Sequence, residues 1–147
     1  MSGDGVDSPK LVAGVVLLKP NGAVLLQHRD NKPGLTAAGQ WVFPGGGCED
    51  GETFETAAVR EFREETGYEC DGIHPLTTFL YRLEENGRNY QITFFWSLYD
   101  EVQPVQCFEG QEVRFVERDT ASSYATPDYL TGVWDLAIAA LEKKALR

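Results

Sequence analysis

The segment from residue 52 to residue 67 reads ETFETAAVREFREETG and carries closely spaced glutamates. Glu61, Glu64 and Glu65 follow an i, i+3, i+4 pattern, which puts them on one side of a helix. The apolar face of the same helix is formed by Phe54, Ala57, Ala58 and Phe62. On a helical wheel of about 100° per residue, the glutamates lie within or beside that apolar sector. Carboxylates therefore adjoin the face that should pack inward, whereas Thr56 and Arg63 lie opposite and face water.

Such a cluster of carboxylates is costly unless something compensates its charge. Like charges at this spacing repel one another, and desolvating each carboxylate costs roughly several kcal/mol. Sequences break the ordinary inside-outside pattern mainly at functional sites. Hard divalent cations take oxygen ligands, and Mg²⁺ commonly bridges carboxylates and substrate phosphates. The pattern therefore indicates a Mg²⁺ site, and a plain solvated acidic face is the structural alternative.

The residues around this helix match a longer pattern. Its fixed positions are Gly46, Glu52, Arg60-Glu61-Phe62, Glu64-Glu65 and Gly67-Tyr68. Types and spacing together resemble the complete Nudix box, here spanning residues 46–68, and every fixed position of that motif is filled. The strand pair before the box and the helix that closes the chain also resemble the family. The resemblance therefore covers most of the chain.

The resemblance implies a fold, a reaction and a cofactor. The fold would be an α/β/α sandwich around a mixed sheet, with the box forming a loop, a helix and a loop. The reaction would be hydrolysis of a nucleoside diphosphate linked to another group, with Mg²⁺ or Mn²⁺. Glu61, Glu64 and Glu65 match the metal-binding positions of the motif, and the backbone carbonyl of Gly45 matches a further ligand.

The resemblance also assigns residues that support the ligands. Glu52 and Arg60 match a pair that braces helix and loop and so orients the metal ligands. Glu109-Gly110-Gln111 resembles the segment that supplies one more glutamate in the founding member of the family. We therefore expect Glu109 to be a ligand or a general base, with Glu112 as the rival for that role.

The expected chemistry is substitution at phosphorus by water. Metal ions would neutralise the diphosphate and lower the pKa of a bound water. One of Glu61, Glu65 and Glu109 would take its proton. The expected substrate is a small nucleotide, either a nucleoside triphosphate or a nucleotide sugar. The alternatives are a nucleotide-sensing domain without catalysis, which would have an eroded box, and an isoprenoid diphosphate isomerase, which would need further catalytic residues.

The elements that must position these residues follow from periodicity and turn signals. Strands are predicted at residues 11–19, 23–28, 41–43, 73–83, 90–99 and 112–116. A helix is predicted at 53–66, with Thr53 as N-cap and Gly67 as the left-handed residue after it. A second helix is predicted to begin at Thr126-Pro127-Asp128. Strands joined by hairpins, with two helices, indicate the α+β class.

Two local signals and one stripe refine this plan. Asn21-Gly22 and Asn86-Gly87 each predict a hairpin, the first through a type I′ turn with positive φ at both central residues. The glycine run 45–47 predicts unusual backbone angles or close backbone approach. An apolar stripe on the second helix predicts core contact and comprises Leu130, Val133, Trp134, Ala137, Ile138 and Leu141.

Composition bounds the class of protein. With 147 residues we expect one domain over 11–147 and a flexible tail over 1–10. A net charge of −10 disfavours nucleic acid polymers and anionic membranes as partners. No apolar run approaches the roughly 20 residues of a membrane span. Cys48, Cys70 and Cys107 lack metal-ligand spacing, so we expect free thiols and a cytoplasmic protein.

Several residues favour structural roles over chemistry. His28 and His74 are isolated, and Cys48 occupies a variable position of the box. Core roles are expected for Trp41, Phe43, Phe94, Phe95 and Trp96. Arg29, Arg82 and Arg88 could contact phosphate or a second subunit. Homodimers are common in the family, and residues 90–99 are a candidate interface. Residues 122–128 could line the pocket for the base or the leaving group.

Overall fold

The computed structural model describes residues 8–33 and 35–146. Within them the strands are β1 (Lys10–Leu18), β2 (Val24–His28), β3 (Trp41–Val42), β4 (Gly45–Gly47), β5 (His74–Leu83), β6 (Arg88–Leu98) and β7 (Glu112–Val116). The helices are α1 (Phe54–Thr66) and α2 (Leu130–Ala145), and a 3₁₀ helix at Arg118–Ser123 was not predicted. Residues 1–7 of the predicted tail lie outside the described residues. Lys10 already belongs to β1, so the predicted tail ran at least one residue too far.

One mixed sheet organises the described chain. Its central path runs β3-β2-β1-β6-β5, with β4 paired to β1 and β7 paired to β2. β1 and β6 run parallel along their whole length, from Lys10 opposite Tyr90 to Leu18 opposite Leu98. The other pairs are antiparallel, among them the β1–β2 and β5–β6 hairpins. β6 is thus paired on both sides and mostly buried, and the suggestion that residues 90–99 form a subunit interface stays a prediction.

The sheet carries a hydrophobic core on each face, because side chains alternate along β1. Ala13, Val15 and Leu17 belong to the cluster that packs against α1, whereas Val16 and Leu18 belong to the cluster that packs against α2. One helix on each face of a mixed sheet confirms the predicted α+β class and the α/β/α sandwich. The prediction of a single domain over 11–147 stays a prediction.

The predicted core residues are buried on both faces. The five aromatic residues assigned to the core are all buried, namely Trp41, Phe43, Phe94, Phe95 and Trp96. Of the stripe on α2, four residues are buried and two are partly buried, in chain order Leu130, Val133, Trp134, Ala137, Ile138 and Leu141. Trp134 is fully buried and donates its indole N–H to the Gly22 carbonyl at 2.8 Å. Truncation of Trp134 to alanine would cost about 3–5 kcal/mol of stability.

The hairpin between β1 and β2 forms as predicted, but through a different turn. Gly22 has a φ of 90°, whereas Asn21 does not have a positive φ. The Gly22 amide donates to the Lys19 carbonyl at 2.9 Å, and the Lys19 amide donates to the Ala23 carbonyl at 2.8 Å. Pro20 holds its own φ near −65°, which fits a type I turn followed by a left-handed glycine. The predicted type I′ turn is therefore wrong.

The boundaries of α1 are set locally and confirm the prediction. The Thr53 hydroxyl accepts a hydrogen bond from the Thr56 amide at 3.0 Å. At the other end Gly67 has a φ of 76°, and its amide donates to the Arg63 carbonyl at 2.8 Å. A side chain is disfavoured at such a φ, so the glycine ends the helix where the sequence places it.

The predicted start of α2 is wrong by three residues, since Pro127 was predicted as its first residue. The helix begins at Leu130, and the residue before it, Tyr129, makes no side-chain capping bond. The Leu130 amide donates to the Pro127 carbonyl at 3.1 Å, so residues 127–129 form a turn that precedes the helix. Thr126 therefore lies outside the capping position that its residue type predicted.

Two further expectations concern membrane-spanning helices and the state of the cysteines. No helix in the described part of the chain is long and apolar enough to cross a bilayer. Cys48, Cys70 and Cys107 are all free, as expected. Cys70 is buried, and burial raises the pKa of its thiol to about 12, which keeps the group protonated.

Candidate active site

The glycine run forms β4, whose backbone lies against β1 and α1. None of its glycines has a positive φ, so the expectation of unusual angles is wrong and that of close approach is confirmed. A Cβ on Gly45 would lie 2.5 Å from the Ala13 carbonyl oxygen. A Cβ on Gly46 would lie 2.4 Å from the carboxyl carbon of Glu61. β4 must therefore be free of side chains for Glu61 to lie beside it.

Glu65 is the most buried carboxyl group of the site. Its residue is 1% exposed, and its Oε1 accepts a hydrogen bond from the Gly45 amide at 3.1 Å. Burial, followed by the charges of Glu109 and Glu61, raises its pKa to about 8. The pKa of Glu61 is also raised, chiefly by burial and against the lowering effect of Arg60. Glu61 and Glu65 therefore lack enough neighbouring positive charge to offset their burial.

Arg60 joins the helix to the loop before it. Its Nε and Nη2 donate to the two oxygens of Glu52 at 2.7 and 2.9 Å. Nη2 also donates to the Gly47 carbonyl at 3.1 Å, and Nη1 donates to Glu61 at 3.1 Å. The bidentate contact lowers the pKa of Glu52 to about 2 and raises the pKa of Arg60 further above its usual range.

Glu64 takes a different position from the other two helix glutamates. Its side chain is 54% exposed, lies 3.3 Å from Arg60 and does not line the cavity described below. Glu61 and Glu65 do line that cavity. The structure thus brings two of the three predicted helix ligands together, and the role of Glu64 as a ligand stays a prediction.

The loop that carries Glu109 is attached to two elements of the site. At the end of α1, the Phe108 amide donates to the Glu65 carbonyl and the Gln106 amide donates to the Thr66 carbonyl, both at 2.9 Å. At the end of β2, the buried side chain of Gln27 donates to the Glu109 carbonyl at 3.2 Å. Sequence reasoning missed Gln27, although a polar residue within an otherwise apolar strand was the available signal.

The two acids that competed for the downstream role have different surroundings. Glu109 lines the cavity, and its charge acts on Glu61 and Glu65. Glu112 is in β7, where its carboxylate lies 2.7 Å from Arg114. Glu112 therefore already has an ion-pair partner and does not line the cavity, and the geometry favours Glu109.

A cavity of about 320 Å³ opens beside these groups. Its lining includes Val12 of β1 and Ile92 of β6, together with acidic and aromatic groups. The acidic groups are Glu61, Glu65 and Glu109, beside the three glycines of β4. The aromatic groups are Phe43, Tyr81, Tyr90, Phe94 and Tyr129. Arg29 and Pro127 also line the cavity. From the sequence, Arg29 was a possible phosphate contact and residues 122–128 were a possible pocket lining.

The oxygen donors of the cavity suit a hard divalent cation, although they do not already form a complete coordination site. Among the described residues, no three acidic, cysteine or histidine side chains already converge on one metal position. Glu61, Glu65 and Glu109 nevertheless line one cavity, where burial, and secondarily the charge of neighbouring glutamates, raises the pKa of Glu61 and Glu65. Oxygen donors that are short of positive charge fit Mg²⁺ or Mn²⁺. These three residues, with Gly45 beside them, could hold such an ion.

The two histidines have structural contacts. The His28 ring stacks on Trp41 with ring centroids 4.6 Å apart, and its Nε2 lies 3.2 Å from the Gly39 carbonyl oxygen. The His74 ring packs on Trp96 with ring centroids 4.7 Å apart. Neither histidine lines the cavity, and neither does Cys48.

Known proteins share both sequence and fold with this chain. A NUDIX domain profile matches residues 8–131. Over 56 residues the chain is 48% identical to the RNA pyrophosphohydrolase of Caulobacter vibrioides. The aligned segment covers 37% of this chain and 30% of that protein. Over 51 residues the chain is 47% identical to the nucleoside triphosphatase NudI of Enterobacter sp. The aligned segment covers 35% of this chain and 36% of that protein.

A solved structure extends the comparison to the whole fold. The Ap4A hydrolase of Caenorhabditis elegans, in a binary complex, superposes with a TM-score of 0.75 over 91% of this chain and 98% of that chain. Its sequence identity is 20%, so the likeness shows a common fold. The matched segments span roughly a fifth to a third of the length of the curated relatives.

Proposed function

The chain belongs to the NUDIX family, and from that premise we propose that it is a metal-dependent hydrolase of nucleoside diphosphate linkages. One observation carries the proposal. Glu65 is buried at the cavity with a pKa raised to about 8, while Glu61 and Glu109 add like charge around it. A carboxyl group in a cavity whose pKa is strongly raised by burial and by neighbouring like charges is typical of functional sites.

The proposed division of roles follows from where each side chain lies. When bound, Mg²⁺ or Mn²⁺ would neutralise the diphosphate and make an attacking water more acidic. Glu61 and Glu65 would hold the ion, with the Gly45 carbonyl and Glu64 as further ligands carried by the family resemblance. Arg60 would keep Glu61 oriented through its bonds to Glu52 and Gly47. Glu109 would accept the proton, because it approaches the cavity from a separate loop.

The proposed substrate is a small nucleotide, either a nucleoside triphosphate or a nucleotide sugar. Two relatives that share about half of their matched residues with this chain are named RNA pyrophosphohydrolase and nucleoside triphosphatase. A net charge of −10 disfavours long polyanions, although it leaves the 5′ end of a short RNA open to testing. Localisation in the cytoplasm is part of the same proposal.

A substrate panel tests the reaction class. Purified protein would be incubated with nucleoside triphosphates, nucleotide sugars, ADP-ribose, dinucleoside polyphosphates and a 5′-triphosphate RNA, with and without Mg²⁺. We expect metal-dependent release of a nucleoside monophosphate from one small nucleotide, resolved by chromatography. No cleavage of any compound by folded, Mg²⁺-binding protein would contradict the proposal and favour a nucleotide sensor.

Two matched variants separate the proposed roles. Glu65→Gln should fold normally, bind Mg²⁺ more weakly and lose nearly all turnover. Glu109→Gln should lose turnover by a comparable factor while Mg²⁺ binding, measured by calorimetry, changes less. Wild-type activity in Glu65→Gln would mean that the site is misassigned.

A further inference from the structure

A polar side chain lies buried in β2, where its neighbours along the strand are apolar. Gln27 is 1% exposed, and the three residues before it are no more than 1% exposed. Side chains alternate along a strand, so Gln27 shares a face with Leu25, which belongs to the core that packs against α1. A leucine would suit such a position, whereas a buried amide is costly unless it forms hydrogen bonds. The Nε2 of Gln27 compensates part of that cost by donating to the Glu109 carbonyl at 3.2 Å.

The segment 106–111, which carries Glu109, lies directly on the end of β2. The Gln111 amide donates to the His28 carbonyl at 2.8 Å, and the Gln111 side chain donates to the Arg29 carbonyl at 3.2 Å. Gly110 has a φ of 85°, and a Cβ on it would lie 2.6 Å from the His28 carbonyl oxygen and 3.3 Å from Gln27 Cγ. Position 110 therefore excludes a side chain both by its φ and by its surroundings. Together with the bonds from residues 106 and 108 to α1, these contacts attach the segment on both sides of Glu109.

The direction of the Glu109 side chain depends on its backbone. Glu109 is exposed yet lines the cavity, and in the described part of the chain its carboxylate forms no hydrogen bond or ion pair. Two side chains donate to its carbonyl, namely Gln27 and the thiol of Cys107 at 3.4 Å. A thiol is a weak donor, and Cys107 belongs to the segment itself. Gln27 therefore supplies the side-chain bond that ties the Glu109 peptide to the sheet.

We infer that Gln27 is a positioning residue, which fixes the Glu109 peptide to β2 and so directs the Glu109 carboxylate into the cavity. The inference rests on the proposed function, in which Glu109 accepts the proton of the attacking water. A general base must lie within hydrogen-bond reach of the proton that it takes, and a displacement of about 1 Å can cost roughly 100-fold in rate. A base on an exposed loop needs such a fixed point, because loops are more mobile than the strands that they join.

Kinetics of a nearly isosteric variant test this role. Gln27→Met removes the amide donor and keeps a long side chain that suits a buried position. We expect kcat to fall by roughly 10- to 100-fold while KM stays almost unchanged. Mg²⁺ affinity, measured by calorimetry, should change little, because the amide bonds to the Glu109 carbonyl rather than to Glu61 or Glu65. In the Glu109→Gln background, Gln27→Met should lower kcat further by less than about twofold, since the group through which it acts is already lost.

Amide hydrogen exchange tests the same contact without hydrolysis. In Gln27→Met, the amides of Phe108 and Gln111 should exchange at least roughly tenfold faster, because the segment opens locally more often. The Ala57 amide, which donates to the Thr53 carbonyl in α1, should exchange as in wild type.

A matched control separates positioning from a general loss of stability. Leu25→Val shortens a buried side chain on the same face of β2 and leaves the bond to Glu109 intact. It should lower Tm slightly, because it leaves a small cavity in the core. Both kcat and the exchange of the segment should remain at wild-type values.

Three results would overturn the inference. The first is wild-type exchange at residues 108 and 111 in Gln27→Met, and the second is a kcat no lower than that of Leu25→Val. The third is an equal fall in kcat with and without Glu109, which would mean that Gln27 supports the fold rather than Glu109. Absence of turnover in wild type would contradict the proposed reaction instead, and exchange of the segment would still decide whether Gln27 holds Glu109 in place.

Discussion

At Glu65, the same burial that positions a carboxyl group for chemistry also opposes its ionisation. Its hydrogen bond from the Gly45 amide offsets only part of the effect of burial, Glu109 and Glu61. A cation in the cavity would offset the rest, because a divalent charge beside the carboxylate favours the ionised form. Glu61 and Glu65 were identifiable from the sequence as a pair. Which glutamate would be buried was not, because that depends on how close β4 approaches.

In metal-free protein, the raised pKa of Glu65 should make stability fall as pH rises. The group titrates near 4.5 when unfolded and near 8 when folded, so the folded state binds more protons between these values. The free energy of unfolding should therefore decrease from about pH 4.5 to about pH 8, by roughly 3–5 kcal/mol. Urea unfolding in a chelating buffer between pH 5 and 9 measures this slope.

The slope can be assigned to one side chain. Glu65→Gln should flatten it, whereas Glu55→Gln, an exposed acid in the first turn of α1, should leave it unchanged. An equal slope in wild type and Glu65→Gln would show that another group is responsible.

Arg60 should be replaceable by neither glutamine nor lysine. Its guanidinium contacts Glu52, Glu61 and the Gly47 carbonyl together, and a single ammonium cannot span them. We expect both variants to lose about 2–4 kcal/mol of stability and at least roughly tenfold in Mg²⁺ affinity. Thermal unfolding and calorimetry check these losses. Arg63→Lys, at an exposed pair with Glu69, should change neither quantity, and a similar loss there would refute the bracing role.

At the scale of elements, predictions succeeded where the signal was local. α1 begins and ends as predicted because Thr53 and Gly67 act on adjacent backbone groups. The start of α2 was missed because contacts distant in sequence prevail over the local capping signal of Thr126. The turn at Pro127 places Tyr129 against Phe79, Tyr81 and Phe94. The tyrosines that line the cavity were likewise not predicted to meet there, because Tyr81, Tyr90 and Tyr129 come from β5, β6 and the turn before α2.

The close approach of β4 and α1 predicts unequal effects of two neighbouring substitutions. Gly46→Ala should fold but displace the Glu61 carboxylate, since the new Cβ would lie 2.4 Å from its carboxyl carbon. We expect roughly tenfold or greater losses in Mg²⁺ affinity and turnover. Gly47→Ala should have a much smaller effect, because its Cβ would lie no nearer than 3.4 Å to any atom, here Lys10 Cε. Equal losses in both variants would mean that backbone flexibility, rather than this contact, matters.

At the scale of the molecule, negative charge is spread along the chain and is also concentrated at the cavity. The net charge is −10, and the cavity adds a local excess because its glutamates are not all paired. The structure holds this excess in place, because α1, β4 and the loop between β6 and β7, which reaches β2, are joined by the hydrogen bonds of Gly45, Phe108 and Gln27. Cations could therefore act on the whole protein or on the cavity alone.

Thermal unfolding in Mg²⁺ distinguishes these two effects. An ion that binds only the folded state at 100 times its dissociation constant adds about 2.7 kcal/mol of stability. For a chain of this size we expect Tm to rise by roughly 5–10 °C. NaCl at matched ionic strength should give a smaller rise, because it only screens the net charge. The double variant Glu61→Gln with Glu65→Gln should lose the Mg²⁺-specific part. If the double variant gained as much as wild type, the ion would be acting on the overall charge, and the cavity would not be its site.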